Sequence, residues 1–255
     1  MARRTPDREY VAPVQKLRIR YAKRGRLRFA SHRDFQRALE RALRRAAVPM
    51  AYSAGFSPHP KISYANAAPT GSASEAEYLE IGVSAQLDPA KVARALDEAL
   101  PPGLDILEVV EAGPGSLTDR LVASEWLIRM PQQEPAAAVA AVELLLASTE
   151  ATVQRMTKSG LRTFDVRPAL VRLAVEADAG GDDGPCAILR VVVRHTVPAV
   201  RPDDVLSALD VVAGLTPPVA PRVTRLAQGP LDEDTGTVAD PLAADRSRGE
   251  GADGA

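Results

Sequence analysis

Lys16-Leu17-Arg18-Ile19-Arg20-Tyr21 is the segment from which the fold prediction starts. Its apolar residues fall at every second position, which is the period of a strand that buries one face. A second segment, Arg26-Leu27-Arg28-Phe29, alternates in the same way. We therefore predict two short strands that bury their apolar side chains and carry a row of cationic side chains on the opposite face.

A basic amphipathic helix is predicted directly after these strands. Ser31 and Asp34 have the spacing of a capping box, and Pro49 is expected to end the helix. The apolar stripe consists of Phe35, Ala38, Leu39, Ala42, Leu43 and Ala46. The opposite side carries the arginines of the helix, namely Arg33, Arg37, Arg41, Arg44 and Arg45.

The rest of the chain continues with alternating strand and helix patterns. In the first half, strands are predicted at 61–65, 78–83 and 104–110, with a helix that starts at Asp88. The pattern restarts after residue 115, with strands at 121–130, 152–156, 170–175, 187–193 and 223–226 and helices at 135–146 and 202–209. This order predicts an α+β fold of two ferredoxin-like (βαββαβ) halves in a pseudo-repeat, with antiparallel sheets and helices on one face.

These patterns also predict how the chain is divided. We expect a mobile N-terminal arm at 1–13, a first half at 14–112, a second half at 117–227 and a disordered acidic tail at 228–255. The net charge of −1 conceals a strong asymmetry, because residues 1–45 contain 15 Lys or Arg against four Asp or Glu. Such segregated charge is informative about binding partners.

Several protein classes are disfavoured by what the sequence lacks. The sequence contains no apolar run of about 18 residues, the length that would predict a membrane span. The basic N-terminus is not followed by the apolar segment of a signal peptide. We therefore expect a cytoplasmic protein. The single cysteine, Cys186, cannot form an intramolecular disulfide or hold an iron–sulfur cluster alone, and we predict no metal site. No phosphate-binding loop, zinc motif or nucleophile elbow is found.

The arginine-rich segments are the first candidate site. Like charges at this density repel one another, so a polyanion such as RNA is a favoured partner. Arginine also suits bidentate phosphate contacts and stacking on bases. The predicted phosphate contacts are Arg18, Arg20, Arg26, Arg28, Arg37 and Arg41. The alternative is that these charges only keep an exposed surface soluble.

The loop Gly55-Phe56-Ser57-Pro58-His59-Pro60-Lys61 is the second candidate site. Two prolines stiffen the backbone around its histidine, which could act as a general acid or a phosphate ligand. We predict a pocket formed by His32, Phe56, Ser57, His59, Lys61 and Arg167. No catalytic residue is assigned, and the weak candidates are His59, Glu75 and Asp165. The alternatives are a purely rigid loop at 55–61 and a turn fixed by Asp165 and Arg167.

These residues resemble a radical-SAM-associated bacterial family of unknown function, whose members occur fused behind a radical SAM domain or beside one. The resemblance extends over about residues 13–227. It rests on Arg28-Phe29-Ala30-Ser31-His32-Arg33-Asp34, on the helix through Glu40–Ala46, on Tyr52–Ser63, on Gly71 with Ser74–Leu79, and on Asp165-Val166-Arg167-Pro168. It implies a separate radical SAM protein as the partner. The iron–sulfur cluster and S-adenosylmethionine would then belong to that partner, and this chain would need no cofactor.

Three functions follow from these observations. The leading hypothesis is a non-catalytic accessory module that presents RNA, or a ribonucleoprotein, to a radical SAM partner. The first alternative is an RNA-processing or RNA-modifying enzyme that uses His59 with Glu75 or Asp165. The second alternative is a protein-interaction scaffold whose basic surface binds an acidic protein.

Overall fold

The computed structural model describes residues 12–54, 57–158, 160–176 and 184–246. They belong to two units. The first comprises Met1–Thr70, Ala76–Thr118 and Leu242–Ala255, and the second comprises Gly71–Glu75 and Asp119–Pro241. The fold is α+β with mostly antiparallel strands, which confirms the predicted class. The pseudo-repeat of two ferredoxin-like halves stays a prediction.

The first unit contains one antiparallel sheet and two long helices. Its elements are β1 (Gln15–Lys23), a 3-10 helix (Gly25–Phe29), α1 (His32–Arg45), β2 (Ile62–Ala65), β3 (Ala73–Val83), α2 (Pro89–Ala99) and β4 (Leu104–Glu111). The strands lie in the order β4-β1-β3-β2, with antiparallel pairing of β1 to β4 and of β2 to β3. A short helix, α3 (Leu117–Arg120), follows β4.

The core of the first unit lies between this sheet and its helices. The alternating residues Leu17, Ile19 and Tyr21 of β1 are buried against the apolar stripe of α1 and against α2. The ring of Tyr21 stacks on Phe35 at a centroid distance of 4.3 Å. The helices therefore cover one face of the sheet, and the cationic positions of β1 lie on the other.

The capping box of α1 forms as predicted. The Ser31 hydroxyl accepts a hydrogen bond from the Asp34 N–H at 3.2 Å, and the Asp34 carboxylate accepts one from the Ser31 N–H at 3.3 Å. The helix ends at Arg45, four residues before the proline expected to stop it. Its end follows from the backbone, because Ala47 adopts a left-handed conformation with φ of 52°.

The predicted strand at Arg26–Phe29 is wrong. These residues belong to the 3-10 helix, in which the Leu27 N–H donates to the Arg24 carbonyl at 3.0 Å and the Ala30 N–H to the Leu27 carbonyl at 2.9 Å. Four residues are too few to establish a strand period. A strand would put Leu27 and Phe29 on the same face, whereas a 3-10 helix, with three residues per turn, points them in different directions. Leu27 packs against the core, whereas Phe29 is 58% exposed.

The second unit has its own antiparallel strands and helices. They are β5 (Ala123–Pro131), α4 (Pro135–Ala147), β6 (Thr152–Thr157), β7 (Gly160–Asp165), a 3-10 turn (Arg167–Ala169), β8 (Leu170–Glu176), β9 (Cys186–Arg194), α5 (Pro202–Ala213), β10 (Arg222–Gly229), β11 (Leu231–Asp232) and β12 (Thr237–Val238). Strands β10-β5-β9-β8 are neighbours in that order, and the first residues of β3 pair in parallel with β10. The strand β7 was not predicted, and with β6 it forms a separate two-stranded ribbon.

The expectation of disorder from residue 228 onward is wrong for the described part of that segment. Gln228 is fully buried in β10, β11 and β12 form a small hairpin, and Leu242 is fully buried. A composition rich in Gly, Asp and Thr suggested disorder, but these residues also build tight turns. Residues 1–11 of the predicted mobile arm and 247–255 of the tail lie outside the described residues. No helix among the described residues is long and apolar enough to cross a membrane.

Candidate nucleic-acid interface

The basic helix face of α1, defined as Arg33, Arg37, Arg41, Arg44 and Arg45, is exposed along its whole length. The apolar stripe on the opposite side anchors the helix, with Leu39 and Leu43 fully or almost fully buried. Residues at i, i+4 and i+8 lie on one side of a helix, so Arg33, Arg37 and Arg41 form one row. At a rise of about 1.5 Å per residue, the row from Arg33 to Arg41 is about 12 Å long.

The 3-10 helix adds two arginines and an aromatic ring to the start of this surface. Arg26 is exposed and Arg28 half-buried. The guanidinium of Arg28 lies 4.5 Å from the centroid of the Phe29 ring, which is itself 58% exposed. An exposed ring beside a guanidinium is an arrangement on which an unpaired base can stack.

The arginines of this surface are not neutralised by the chain. Within the described ranges, no carboxylate lies within ion-pair distance of Arg26, Arg28 or any arginine of the basic helix face. Asp34 and Glu40 are the two acids of α1: Asp34 is engaged in the helix cap, and Glu40 is half-buried. Hydrogen bonds from the Ser31 hydroxyl and N–H hold the pKa of Asp34 below its usual value, and Arg37 and Arg33 contribute further.

Arg18 was predicted to contact phosphate, and the structure contradicts this. Its side chain is 1% exposed and donates two hydrogen bonds of 2.9 Å to the Asp245 carboxylate, which is also 1% exposed. It donates further to Glu80 at 3.0 Å and to the Gly115 carbonyl. The strand period correctly placed Arg18 on the face opposite the helices, but another part of the chain covers that position.

The covering part is the C-terminal segment, Leu242–Arg246. Besides the Asp245–Arg18 pair, its Asp245 carboxylate accepts a hydrogen bond from the Gly113 N–H at 2.9 Å. Arg246 forms a bidentate pair with Glu108 of β4 at 2.7 and 2.8 Å. Arg20 is half-buried and has contacts of its own. The predicted contact set therefore separates into Arg18, which is covered, Arg20 and Arg28, which are half-buried, and Arg26, Arg37 and Arg41, which are exposed.

The loop containing His59 closes on itself at its base. The Ser53 N–H donates to the His59 carbonyl at 2.8 Å, and the His59 N–H donates to the Ser53 hydroxyl at 3.0 Å. The His59 side chain is exposed, as is Ser57. Phe56, which was predicted to line the pocket, lies outside the described residues.

A cavity of about 580 Å³ lies beside this loop in the first unit. Its lining includes Lys16, Ser53, His59, Lys61, Ser63 and Glu80. A second cavity, of about 350 Å³, shares Lys16, Ser63 and Glu80 with the first. The two therefore meet at the Lys16–Glu80 ion pair, whose Nζ–Oε1 distance is 2.9 Å. Of the predicted pocket residues, His59 and Lys61 line the larger cavity.

His32 does not line either cavity. Its ring lies edge-on to Tyr64 at a centroid distance of 4.8 Å, and its Nε2 is 3.1 Å from the Gln36 amide nitrogen. Burial, with a smaller effect of Glu40, raises the pKa of Tyr64 to about 12. These contacts assign His32 to the packing at the start of α1.

The remaining predicted site residues belong to the second unit. Asp165 Oδ1 accepts hydrogen bonds from the N–H groups of Ala151 at 2.8 Å and Arg167 at 2.9 Å. The Arg167 guanidinium donates to the carbonyls of Leu146, at the end of α4, and Leu170. Glu75 also lies in this unit. Asp165 and Arg167 thus fix a turn, which is the structural alternative considered from the sequence.

Two features of the interface were missed by the sequence reading. One is Asp245, which neutralises Arg18 from 227 positions away along the chain. The other is the exposed aromatic ring of Phe29, because the strand prediction had buried it. Among the described residues, no three His, Cys, Asp or Glu side chains form a cluster suited to a metal ion.

The fold and surface together define an α+β protein of mostly antiparallel strands with an exposed, unneutralised basic helix. The chain belongs to the family described as "Uncharacterized protein conserved in bacteria (DUF2344)", whose model matches residues 16–202. The match includes the basic helix face and the loop at His59, and it ends before the C-terminal segment. Comparison with curated proteins gives no significant match.

Two solved structures illustrate a distant likeness. A chain of a Cbf5-Nop10-Gar1 complex is 12% identical with a TM-score of 0.44, and the alignment covers 92% of this chain and 57% of that one. The present chain thus spans little more than half of that protein's length. Ferric DtpA from Streptomyces lividans is 14% identical with a TM-score of 0.23, covering 88% of this chain and 89% of that one.

Proposed function

We propose that this protein is an accessory module that binds RNA, free or within a ribonucleoprotein, and presents it to a separate radical SAM protein. The observation that supports RNA binding is the row of exposed arginines on α1, none of which is ion-paired within the described residues. An array of like charges without counter-charges is destabilised by self-repulsion. A polyphosphate backbone removes that repulsion and releases its own counterions in doing so.

The chemistry of the surface favours a nucleic acid over an acidic protein. All its cations are arginines, whose planar guanidinium groups bind phosphate oxygens in a bidentate manner. Phe29 and Arg28 add a stacking platform that an acidic peptide would not use. Because unpaired bases are the usual targets of such platforms in RNA recognition, we propose that the preferred RNA contains a single-stranded stretch.

The cavity beside His59 supports the proposal that the RNA residue presented to the partner binds there. Its volume of about 580 Å³ lies within the range of small-ligand pockets. Lys16, Lys61 and His59 line it and can donate hydrogen bonds to phosphate or base oxygens. In this proposal the chain positions the residue, and the radical chemistry belongs to the partner with its iron–sulfur cluster and S-adenosylmethionine.

Binding of a short, labelled single-stranded RNA to the purified protein tests the RNA-binding part. We expect Arg37→Gln/Arg41→Gln to weaken binding by roughly tenfold or more, because two phosphate contacts are lost. The matched control is Lys91→Gln/Arg94→Gln, which removes two exposed cations from α2 in the same unit. An equal loss of RNA affinity in both variants would mean that binding depends only on the overall charge of the protein. This result would contradict a specific interface on α1.

The partner is tested by gentle purification of the tagged full chain with and without ribonuclease. We expect an iron–sulfur protein to co-purify together with RNA, and the RNA to be lost from the Arg37→Gln/Arg41→Gln variant. A protein complex that forms without any RNA, and that survives ribonuclease and the arginine substitutions, would instead favour the scaffold alternative. Turnover of RNA by the isolated chain, abolished by His59→Ala, would favour an enzyme.

A further inference from the structure

The β6–β7 ribbon of the second unit, Thr152–Thr157 paired with Gly160–Asp165, has a firmly held base. Val153 is 2% exposed. The Arg155 guanidinium stacks over the Phe164 ring at 4.9 Å, donates to the Ala199 carbonyl at 3.1 Å and pairs with Asp204. Burial raises the pKa of Asp204, while hydrogen bonding to Arg201 and the charge of Arg155 oppose this shift. The base of the ribbon is therefore part of the packed second unit.

The turn after β7 contributes to this anchoring. Asp165 Oδ1 accepts the Ala151 N–H at one side of the ribbon base and the Arg167 N–H at the other. The Val166 N–H donates to the Ala151 carbonyl at 3.0 Å. Arg167 then ties the same turn to the end of α4 through the Leu146 carbonyl. The Asp165-Val166-Arg167 motif thus holds the two strand ends together and sets the direction of the ribbon.

The outer part of the ribbon is exposed, and one of its faces carries an apolar pair. Met156 and Leu161 are direct cross-strand partners and are 72% and 59% exposed. Side chains of directly paired residues lie on the same face of a two-stranded sheet. The next residues on that face, Gln154 and Thr163, are also paired and exposed. Single exposed apolar residues are ordinary, but two that are cross-strand partners form a small exposed apolar patch at the end of the ribbon.

The charge of the ribbon is entirely positive. Residues 151–164 contain three cations, Arg155, Lys158 and Arg162, and no Asp or Glu. Arg155 forms an ion pair with Asp204. Lys158 and Arg162 are exposed and form no ion pair with any residue that the structure describes. Arg155 and Arg162 are cross-strand partners and lie on the face opposite Met156 and Leu161. A complementary partner therefore needs an apolar surface for one face, with negative charge at the turn and on the other face. A nucleic acid has that chemistry throughout, with phosphates flanking the apolar faces of its bases.

We propose that the β6–β7 ribbon is a second RNA-binding site, in which Met156 and Leu161 pack on unstacked bases while Lys158 at the turn and Arg162 on the opposite face contact phosphates on either side of those bases. This inference rests on the proposed RNA-binding function. Apolar side chains of this kind pack against or between bases in other modes of nucleic-acid recognition. Gln154 and Thr163 lie beside the pair and supply donors and acceptors that can bind base edges.

The test compares two double variants of the full chain on the same single-stranded RNA, in a titration that resolves the affinity of the ribbon site from that of the α1 site. Met156→Ala/Leu161→Ala is expected to weaken binding by roughly tenfold with an unchanged salt dependence, because it removes apolar contact area and no charge. Leu144→Ala/Val211→Ala is the matched control, since Leu144 and Val211 are 54% and 64% exposed on α4 and α5. We expect this control to bind like the unsubstituted protein.

Lys158→Gln/Arg162→Gln is the complementary variant. We expect it to weaken binding and to flatten the salt dependence by about 1.4 in the slope for two lost contacts, at about 0.7 per contact for single-stranded RNA. Equal binding by Met156→Ala/Leu161→Ala and by its control would overturn the ribbon proposal. Loss of a protein complex with unchanged RNA affinity would also overturn it, and would identify the ribbon as a protein-docking site.

The same RNA distinguishes this inference from the proposed function. If the α1 variants weaken binding and the ribbon variants do not, only the ribbon proposal fails. If the ribbon variants weaken binding and the α1 variants do not, the basic helix face is not the interface, and the ribbon proposal stands. An unsubstituted protein with no affinity for RNA at low salt would overturn both.

Discussion

Arg18 on β1 and the arginines on α1 belong to one cationic stretch of sequence, yet the structure uses them differently. Arg18 is 1% exposed and is bound by Asp245 and Glu80. Arg33, Arg37 and Arg41 are exposed, and no described carboxylate pairs with them. Both groups lie on the side of their element that faces away from the core. Periodicity therefore identifies the face of an element on which a side chain lies, whereas its exposure depends on what the rest of the chain places over that face.

The largest effect is expected from removing the counter-charge of Arg18. Asp245→Ala leaves a buried guanidinium without its main partner, which should lower the unfolding free energy by about 3–5 kcal/mol. Denaturant unfolding measures this change. Glu233→Ala is the control, because Glu233 pairs with Arg194 at the surface, and its removal should leave the unfolding midpoint nearly unchanged. Similar midpoints for the two variants would mean that Arg18 is not enclosed as described.

A second experiment separates the two arginine groups by function. Arg18→Met/Asp245→Leu replaces the buried ion pair by apolar side chains, a change that often leaves stability equal or improved. We expect this variant to fold and to bind single-stranded RNA like the unsubstituted protein, whereas Arg37→Gln/Arg41→Gln binds roughly tenfold more weakly. Weaker RNA binding by a folded Arg18→Met/Asp245→Leu protein would show that β1 belongs to the interface after all.

A smaller effect is expected at the cap of the exposed helix. Ser31→Ala removes the side-chain acceptor of the capping box and should cost about 1 kcal/mol of stability. It should also raise the pKa of Asp34, because hydrogen bonds from Ser31 are the main cause of its lowering. A carboxyl whose pKa is depressed on folding stabilises above its unfolded pKa and loses that contribution as the pH falls through the folded value.

The stability difference between the unsubstituted protein and Ser31→Ala should therefore narrow as the pH falls through the folded-state pKa of Asp34. Denaturant unfolding at several pH values measures that difference, and NMR titration of Asp34 measures the pKa directly. An unchanged pKa of Asp34 in Ser31→Ala would mean that Arg33 and Arg37, and not the cap, determine it.

The smallest effect is expected at the outer end of the C-terminal segment. Arg246 is 42% exposed in its bidentate pair with Glu108, so Arg246→Gln should change the unfolding free energy by about 0.2–1 kcal/mol. The contrast with Asp245→Ala, one residue away, measures how strongly burial determines the contribution of an ion pair to the free energy of unfolding in this segment. Equal losses of unfolding free energy in Arg246→Gln and Asp245→Ala would show that burial does not determine the contribution of these ion pairs.

The predictable parts of this molecule are those determined by local sequence. The alternation at 17–21 gave a strand with the correct buried face, and the Ser31–Asp34 spacing gave the correct helix start. The Asp88 cap of α2 was also recognisable, and its side chain accepts the Ala90 N–H at 2.8 Å. In each case, neighbours in sequence supply the decisive contacts.

The parts that could not be predicted depend on distant contacts or on very short patterns. Arg18 is covered by residues 227 positions away, and nothing in the strand itself indicates that partner. The 3-10 helix was mistaken for a strand because four residues are too few to establish a period. The strand β7 follows a turn and contains Arg162 and Thr163 between apolar residues, so its weak alternation did not separate it from a loop.

The most direct test of the central claim is the salt dependence of RNA binding by the unsubstituted protein and by Arg37→Gln/Arg41→Gln. Log affinity for a short single-stranded RNA is measured against log salt concentration between about 50 and about 200 mM. We predict that the slope of this line is shallower by about 1.4 for the variant, at about 0.7 for each of two lost phosphate contacts. Two lines of equal slope would contradict the claim that the basic helix face contacts the RNA backbone.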